Sequence, residues 1–353
     1  MPAMRPLDRR AFLGATGAAV AALATAAVPA AQPRRYRVLL NSNFSGPQAF
    51  FFLAQDRGYL TATGLDAEFV AGDGAAAIVP RVGAEGFDFG YGDLNALVPL
   101  VARNAANAPI AIYVTFNTTP LTIAVDANGP VKTPKDLEGR IVAGHPIDAA
   151  LEVFPEFAGA TGIDASRVTI RRSDTSMRSL VEDMLAGKSA GVFGFVNTII
   201  ASVAPAGIDG RTRLRFLEYR HHTPDLYGNA LMVSRRLLAE RPNDVAAFVR
   251  AVNHGLADTV TNLDAAIASV VKRDATVRAD VDRPRLAGTL AMEMAHPEGR
   301  TLGIGDVDDG RLARGIALIA KSRGLPRVPA PSEIFTRACL PPKAERVTTL
   351  ARG

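Results

Sequence analysis

Tryptophan is absent from the chain and cysteine occurs once, at Cys339. A single thiol excludes an internal disulfide framework and any zinc cluster built on cysteine. Aromatic residues make up only 6% of the sequence, so a ring lining a pocket must come from a small set of Phe and Tyr. Histidine is scarce as well, with five in the chain. The adjacent His221 and His222 have no companion at metal-ligand spacing, and no H-E-x-x-H occurs, so the sequence implies neither a metal nor another cofactor. What is present is ordinary: 353 residues, 48% hydrophobic and 21% charged. That suits two globular domains, or one large one, and gives no sign of disorder or of a repeat array.

Long apolar runs are also missing, with one exception near the start. Residues 11–28 are rich in Ala and Gly and scarcely reach the roughly 20 residues that a membrane span needs. They follow Asp8-Arg9-Arg10 and end at Pro29-Ala30-Ala31, the order of a cleaved signal peptide. The paired arginines before Ala11-Phe12-Leu13 resemble the twin-arginine signal, which is read by an export machinery for folded proteins. A membrane anchor is the alternative, and a lipid anchor is excluded because no cysteine lies nearby. The expectation is a signal over residues 1–31, cleaved near Ala30 or Ala31, and a soluble periplasmic protein. The net charge is +5, of which Arg5, Arg9 and Arg10 against Asp8 supply +2, leaving the mature chain near +3. Its arginines are dispersed, which excludes a basic nucleic-acid surface.

From Tyr36 the pattern alternates between short apolar strands and helices. Strands are predicted at 36–41, 67–71, 87–91 and 109–116, with helices opening at Pro47, Ala75 and Asp93. This rhythm indicates a parallel sheet covered by helices. Thr122 to Val125 reads as an extended crossing, and Pro130 to Pro134 as a break. The alternation then restarts, with strands at 140–144, 168–172 and 191–195 and helices at 147–160, 177–186 and 197–204. Tyr227 to Val233 reads as the chain returning. Helices follow at 235–240, 243–273, 284–295 and 306–322. The division expected is a first lobe of residues 32–125 plus 229–353 and a second lobe of 126–228. Two α/β lobes joined by two crossings enclose a cleft lined by the carboxyl ends of their strands, where such sheets bind ligands.

Several stretches carry a family resemblance. Asn43-Phe44-Ser45-Gly46-Pro47, Ala54 to Leu60 and Gly64-Leu65-Asp66 resemble the opening of NMT1/THI5-like substrate-binding proteins, which include sulfonate, taurine and thiamine-pyrimidine binders. Gly86 to Gly90, Leu137 to Arg140, Leu185 to Gly191 and Arg241 to Phe248 are similar to later segments of that group, in the same order. The resemblance implies an α/β type II periplasmic-binding-protein fold, two lobes with a hinge and with the C-terminal helices on the first. It also implies capture of a small molecule for an ABC permease in the inner membrane, without chemistry and without need of an oligomer; a monomer is expected.

Candidate ligand-binding residues follow from the strand ends. In the first lobe they are Phe44, Ser45, Gly46 and Gln48, then Gly72, Asp73 and Gly74, then Tyr91, Gly92, Asp93 and Asn95, where Asp93 could instead cap the helix behind it. Phe116, Asn117 and Thr118 lie where the chain leaves the lobe. In the second lobe they are His145 with Asp148, Ser173 with Asp174, and Phe195 with Asn197. Tyr227 and Asn229 sit near the return crossing. Arginine is scarce in these loops, while aromatic rings and Asp73, Asp93, Asp148 and Asp174 are frequent. This combination favours a flat heteroaromatic ligand bearing amino groups, or an organic cation, over a small anion, although helix N-termini alone can bind anions.

Enzyme signatures are present only in broken form. Gly187-Lys188-Ser189-Ala190-Gly191 matches G-x-S-x-G, but a helix precedes it and a strand follows, the reverse of a nucleophile elbow. Gly90-Tyr91-Gly92 has Asn95 where the dinucleotide fingerprint needs its last glycine. Related folds also serve aromatic sulfinate desulfinases, which use a cysteine nucleophile, and pyrimidine synthases with clustered cysteines. Cys339 is the only residue here that could take such a part. A ligand-sensing module acting through a partner is a further alternative.

Overall fold

The computed structural model describes residues 32–350, together with Met1 and Ala3. The export signal expected over 1–31 otherwise lies outside the described residues. Among the described residues ten strands form two five-stranded sheets. The first contains β1 (Arg34–Leu39), β2 (Leu65–Val70), β3 (Phe89–Asp93), β4 (Ile110–Val114) and β10 (Asn229–Val233). The second contains β5 (Leu121–Asp126), β6 (Ile141–Gly144), β7 (Thr169–Arg172), β8 (Gly191–Phe195) and β9 (Leu214–Glu218). Their orders, β2-β1-β3-β10-β4 and β7-β6-β8-β5-β9, follow one plan.

The sheets are mixed, not purely parallel as the alternation predicts. In each, the fourth strand runs antiparallel: β10 between β3 and β4, and β5 between β8 and β9. The reason lies in the crossings. Parallel strands need a helical crossover on the same sheet, whereas a chain arriving directly from the other lobe enters at the cleft edge and must run away from it. Accordingly Leu121, the first residue of β5, pairs with Phe195, the last of β8. Asn229, the first of β10, pairs with Asp93, the last of β3. The first crossing therefore ends before Leu121, and Thr122 to Val125 is interior sheet instead of linker.

Other differences have local causes. The helix predicted from Ala75 is only turns and a 3-10 turn at Val79–Arg81, because Pro80 supplies no backbone N–H. The helix predicted over 243–273 is broken at Asn262, whose side chain accepts from Ala265 N at 2.9 Å and starts a second helix. Pro284 lies inside the helix Ala279–Gly288, which runs on into a π turn at Thr289–Glu293. The edge strand β9 has no counterpart among the strands predicted from the sequence.

The first sheet packs the helix Ala49–Asp56 against the helix Pro242–Thr261. Phe50, Phe51 and Phe52 are fully buried there, each contributing about 2–3 kcal/mol of burial. The two helices touch backbone to backbone at Gly255, where any Cβ would overlap Phe50 O. In the second lobe Phe157 stacks on Tyr219 with centroids 4.2 Å apart. The C-terminal helices reach both lobes. Asp309–Ser322 lies against Leu94–Asn104 of the first and Phe154–Thr161 of the second, and Ala279–Gly288 touches Val196–Val203. Arg323 Nε donates to Glu156 at 2.8 Å across the two.

Candidate functional site

A cavity of about 400 Å³ lies between the carboxyl edges of the two sheets. The loop after β1 supplies Asn41 to Ser45, the loop after β2 supplies Asp73, Gly74 and Ala75, and the loop after β6 supplies His145, Ile147, Asp148 and Ala149. Phe195 at the end of β8, Met177 and Thr198 line the second lobe's side. Asp282 and Arg285, from the helix Ala279–Gly288, complete the lining.

Local chemistry sets each wall. Gly46 N donates to Asp282 Oδ1 at 2.8 Å, and a Cβ on Gly46 would overlap Asp282 O, so only glycine admits this approach. Gln48 does not line the cavity. It is buried and donates through Nε2 to Asn41 Oδ1 at 2.6 Å and Ser42 Oγ at 3.0 Å, which fixes the loop's shape. Gly72 N donates to Ser42 O at 3.2 Å, tying the first two loops together. Across the cleft, a Cβ on Gly74 would stand 3.0 Å from Ile147 O; the lobes touch at this point. Phe44 packs edge-on against Phe52, centroids 4.9 Å apart.

The electrostatics centre on Asp282 and Arg285. Arg285 Nη2 donates to Thr198 Oγ1 at 2.9 Å, and Nη1 stands 3.7 Å from Asp282 Oδ1, too long for a hydrogen bond. Arg285 Nε has no hydrogen-bond partner among the described residues. The guanidinium thus keeps one buried donor unsatisfied on a side chain only 18% exposed, and desolvation draws its pKa down. Behind it Glu293 is buried, accepts from Asn197 Nδ2 at 3.1 Å, and has its carboxyl pushed up by burial.

The sequence-predicted residues divide. Phe44, Ser45, Asp73, Gly74, His145, Asp148 and Phe195 come together at the cavity. Of the carboxylates, Asp148 is occupied as a helix cap, accepting from Ala150 N at 2.7 Å, and Asp73 pairs with Arg81 at 3.3 Å. Tyr91, Gly92, Asp93 and Asn95 lie behind the lining, with the Tyr91 hydroxyl 2.7 Å from Thr115 Oγ1. Phe116, Asn117 and Thr118 form the first crossing, where Asn117 Oδ1 accepts from His296 N at 3.0 Å. Ser173 and Asp174 sit on a loop outside the lining, Asn197 faces Glu293, Tyr227 is buried under Arg311, and the Asn229 side chain is buried without a partner among the described residues. Asp282, Arg285, Met177 and Thr198 escaped the sequence reading. The spacing of Asp282 and Arg285, three apart on one helix face, was the only signal for the pair. Arg285 also supplies the arginine that the loops lacked.

Asp93 is 1% exposed. Its Oδ1 accepts from Asn95 N and Nδ2 at 3.2 and 2.8 Å, while Oδ2 has no partner among the described residues. Burial pushes its pKa up to about 7. A carboxyl raised on folding stabilises below its unfolded pKa and loses that stabilisation as pH rises through the folded value. Asp93→Asn keeps the accepting oxygen and removes the ionisation. It is expected to unfold at higher urea than the wild type at pH 8, by about 1–2 kcal/mol, and to lose this advantage below pH 4. Parallel pH profiles for the two proteins would refute the assignment.

Among the described residues no group of three or more His, Cys, Asp or Glu is placed to hold a metal ion, and no helix is long and apolar enough to cross a membrane. Cys339 is buried with its sulfur 4.0 Å from Pro242 O; it is not part of the cavity lining. Ser189 of the G-x-S-x-G stretch lies between the helix Met177–Leu185 and β8, buried and without a partner among the described residues.

The family model described as NMT1/THI5 like matches residues 47–266, more than half of the chain. The riboflavin-binding protein RibY of Chloroflexus aurantiacus is 26% identical over 259 residues, 70% of this chain and 69% of that protein. The alkanesulfonate-binding protein SsuA of Xanthomonas axonopodis pv. citri, solved with MOPS, superposes with a TM-score of 0.65 at 16% identity, covering 87% of this chain and 99% of SsuA. DszB in complex with biphenyl-2-sulfinic acid superposes with a TM-score of 0.54 at 13% identity, covering 86% and 97%. The two lobes have the periplasmic-binding-protein fold.

Proposed function

This chain belongs to the NMT1/THI5-like family, and from that premise we propose that it is an exported solute-binding protein. It captures a small molecule between its lobes and delivers it unchanged to an ABC permease in the inner membrane. The observation that carries this reading is the cavity itself. It is built from the ends of strands in both lobes and contains no cysteine and no serine–histidine pair in hydrogen-bond contact. A cysteine-dependent reaction of the kind weighed above finds no support, because Cys339 is packed away from the cavity.

The ligand class follows from the lining. Phe44, Phe195, Met177 and Ile147 offer apolar faces, and the volume of about 400 Å³ suits a ring system better than a compact anion. A flat heteroaromatic ligand fits, in line with the name of the RibY relative. The amino groups expected from Asp93, Asp148 and Asp174 lose their support, since the first two cap helices and the third lies outside the lining. The mature protein acts as a periplasmic monomer after twin-arginine export.

A thermal-shift screen of heteroaromatic compounds tests the reading. At least one compound is expected to raise the melting temperature, as binding to the native state alone requires. Mass spectrometry of the compound recovered from the pure protein should return it intact; turnover would overturn the assignment.

A further inference from the structure

We infer that Asp282 and Arg285 act as one reading head, and that the ligand presents to it a hydrogen-bond donor beside an acceptor, as in the N–H and C=O of a cyclic imide or lactam. This rests on the capture reading above and names the ligand class for the same cavity. Asp282 and Arg285 stand three residues apart on one helix and both line the cavity. Gly46 N occupies Asp282 Oδ1, and Oδ2 makes no hydrogen bond among the described residues, so one carboxylate oxygen is left to accept from a ligand. Arg285 spends one bond on Thr198, its buried Nε has no partner among the described residues, and Nη1 is 3.7 Å from the nearest Asp282 oxygen, on a side chain only 18% exposed. A buried guanidinium in that state is costly until an acceptor reaches it.

The charge balance selects the class. The pair is neutral as a unit, with −1 on Asp282 and +1 on Arg285. An anion would gain at Arg285 and lose against Asp282, and a cation would do the reverse. A neutral edge with a donor and an acceptor side by side satisfies both. A small zwitterion would also match the charges, but it would leave the faces of Phe44 and Phe195 uncovered. Thr198 belongs to the second lobe and Arg285 to the helix packed on the first, so the reading head is assembled where the lobes meet.

The test uses the full mature protein and three cyclic imides, uracil, lumazine and riboflavin, each beside its counterpart methylated at the imide nitrogen. Titration calorimetry is expected to show binding of at least one imide. Methylation should weaken it about tenfold to a hundredfold, the effect of one hydrogen bond to a charged group. Arg285→Met and Asp282→Asn should weaken the same imide by a similar factor. Asp282→Asn keeps an oxygen for Gly46 N, and the unliganded melting temperature of each variant reports any loss of fold separately. Equal binding of the methylated and free imides, unchanged affinity in Arg285→Met, or no binding of any imide overturns the inference. Binding of MOPS in the cavity in place of an imide overturns it while leaving capture standing. Conversion of an imide to product overturns the capture reading instead.

Discussion

Arg311→Met is expected to lower the unfolding free energy by about 3–5 kcal/mol, the usual cost of stripping one partner from a buried ion pair. Arg311 is 5% exposed, and its guanidinium is shared among three backbone carbonyls. Nη1 donates to Asn117 O at 2.8 Å, Nε to Pro224 O at 3.0 Å and Nη2 to Leu226 O at 3.0 Å. Asn117 lies on the outward crossing, while Pro224 and Leu226 lie on the return, so one side chain pins both straps that join the lobes. The same group lies over the Tyr227 ring, 4.1 Å from its centroid. Glu298 Oε1 is 3.1 Å from Nη1 but not aligned for a hydrogen bond, so its attraction to Arg311 is chiefly coulombic. Without the arginine, three carbonyls and a buried carboxylate lose their partner together. Lysine offers a single point charge in place of a planar fork, so Arg311→Lys should recover only part of the loss. Urea titration followed by circular dichroism measures both. A loss below about 1 kcal/mol in Arg311→Met would mean that the straps hold themselves.

That staple was invisible in the sequence, and the reason is general to this fold. Strand ends were legible because each is a short apolar run closed by Gly, Asn or Asp, and parallel strands bring such ends to one edge. Phe44, Asp73, His145 and Phe195 were reached by that logic. The logic fails for whatever arrives from far along the chain. Arg311, Asp282 and Arg285 sit on helices whose charged residues read as solvated faces, and only the tertiary packing turns them inward. It fails in the opposite sense for the aromatics. The sequence ends a strand at Tyr91, but β3 runs on to Asp93 and leaves Tyr91 at its centre, while β10 inserts beside β3 and makes that strand interior. The Tyr91 ring then packs among Phe50, Phe51 and Phe116, away from the cavity. Thr122 to Val125 misled for a related reason. A strand buried on both faces and entered directly from another lobe has no helix before it to announce a sheet.

The assembly of the site from both lobes makes one glycine decisive. Gly288→Val is expected to weaken capture about five- to a hundredfold while leaving a folded protein. Gly288 ends the helix that carries Arg285, and a Cβ there would overlap the Asn197 side chain of the second lobe, coming within 2.8 Å of Nδ2's carbon, Cγ. Asn197 cannot simply swing aside, because its amide holds the buried Glu293. Forcing extra carbon into a packed contact costs about 1–3 kcal/mol, and on the capture reading proposed above an open state with the lobes apart would escape that cost. Apparent affinity falls by the same factor as the population of the closed form, with tenfold corresponding to about 1.4 kcal/mol. Small-angle scattering should show the wild type contracting when the screened ligand is added and Gly288→Val contracting less. Removing the obstructing group supplies the control. Asn197→Ala in the Gly288→Val background should recover much of the affinity, although Glu293 loses a donor, because the space that valine needs becomes available. If Gly288→Val binds as tightly as the wild type, the contact between Gly288 and Asn197 does not govern closure, and the lobes meet over the ligand by another route.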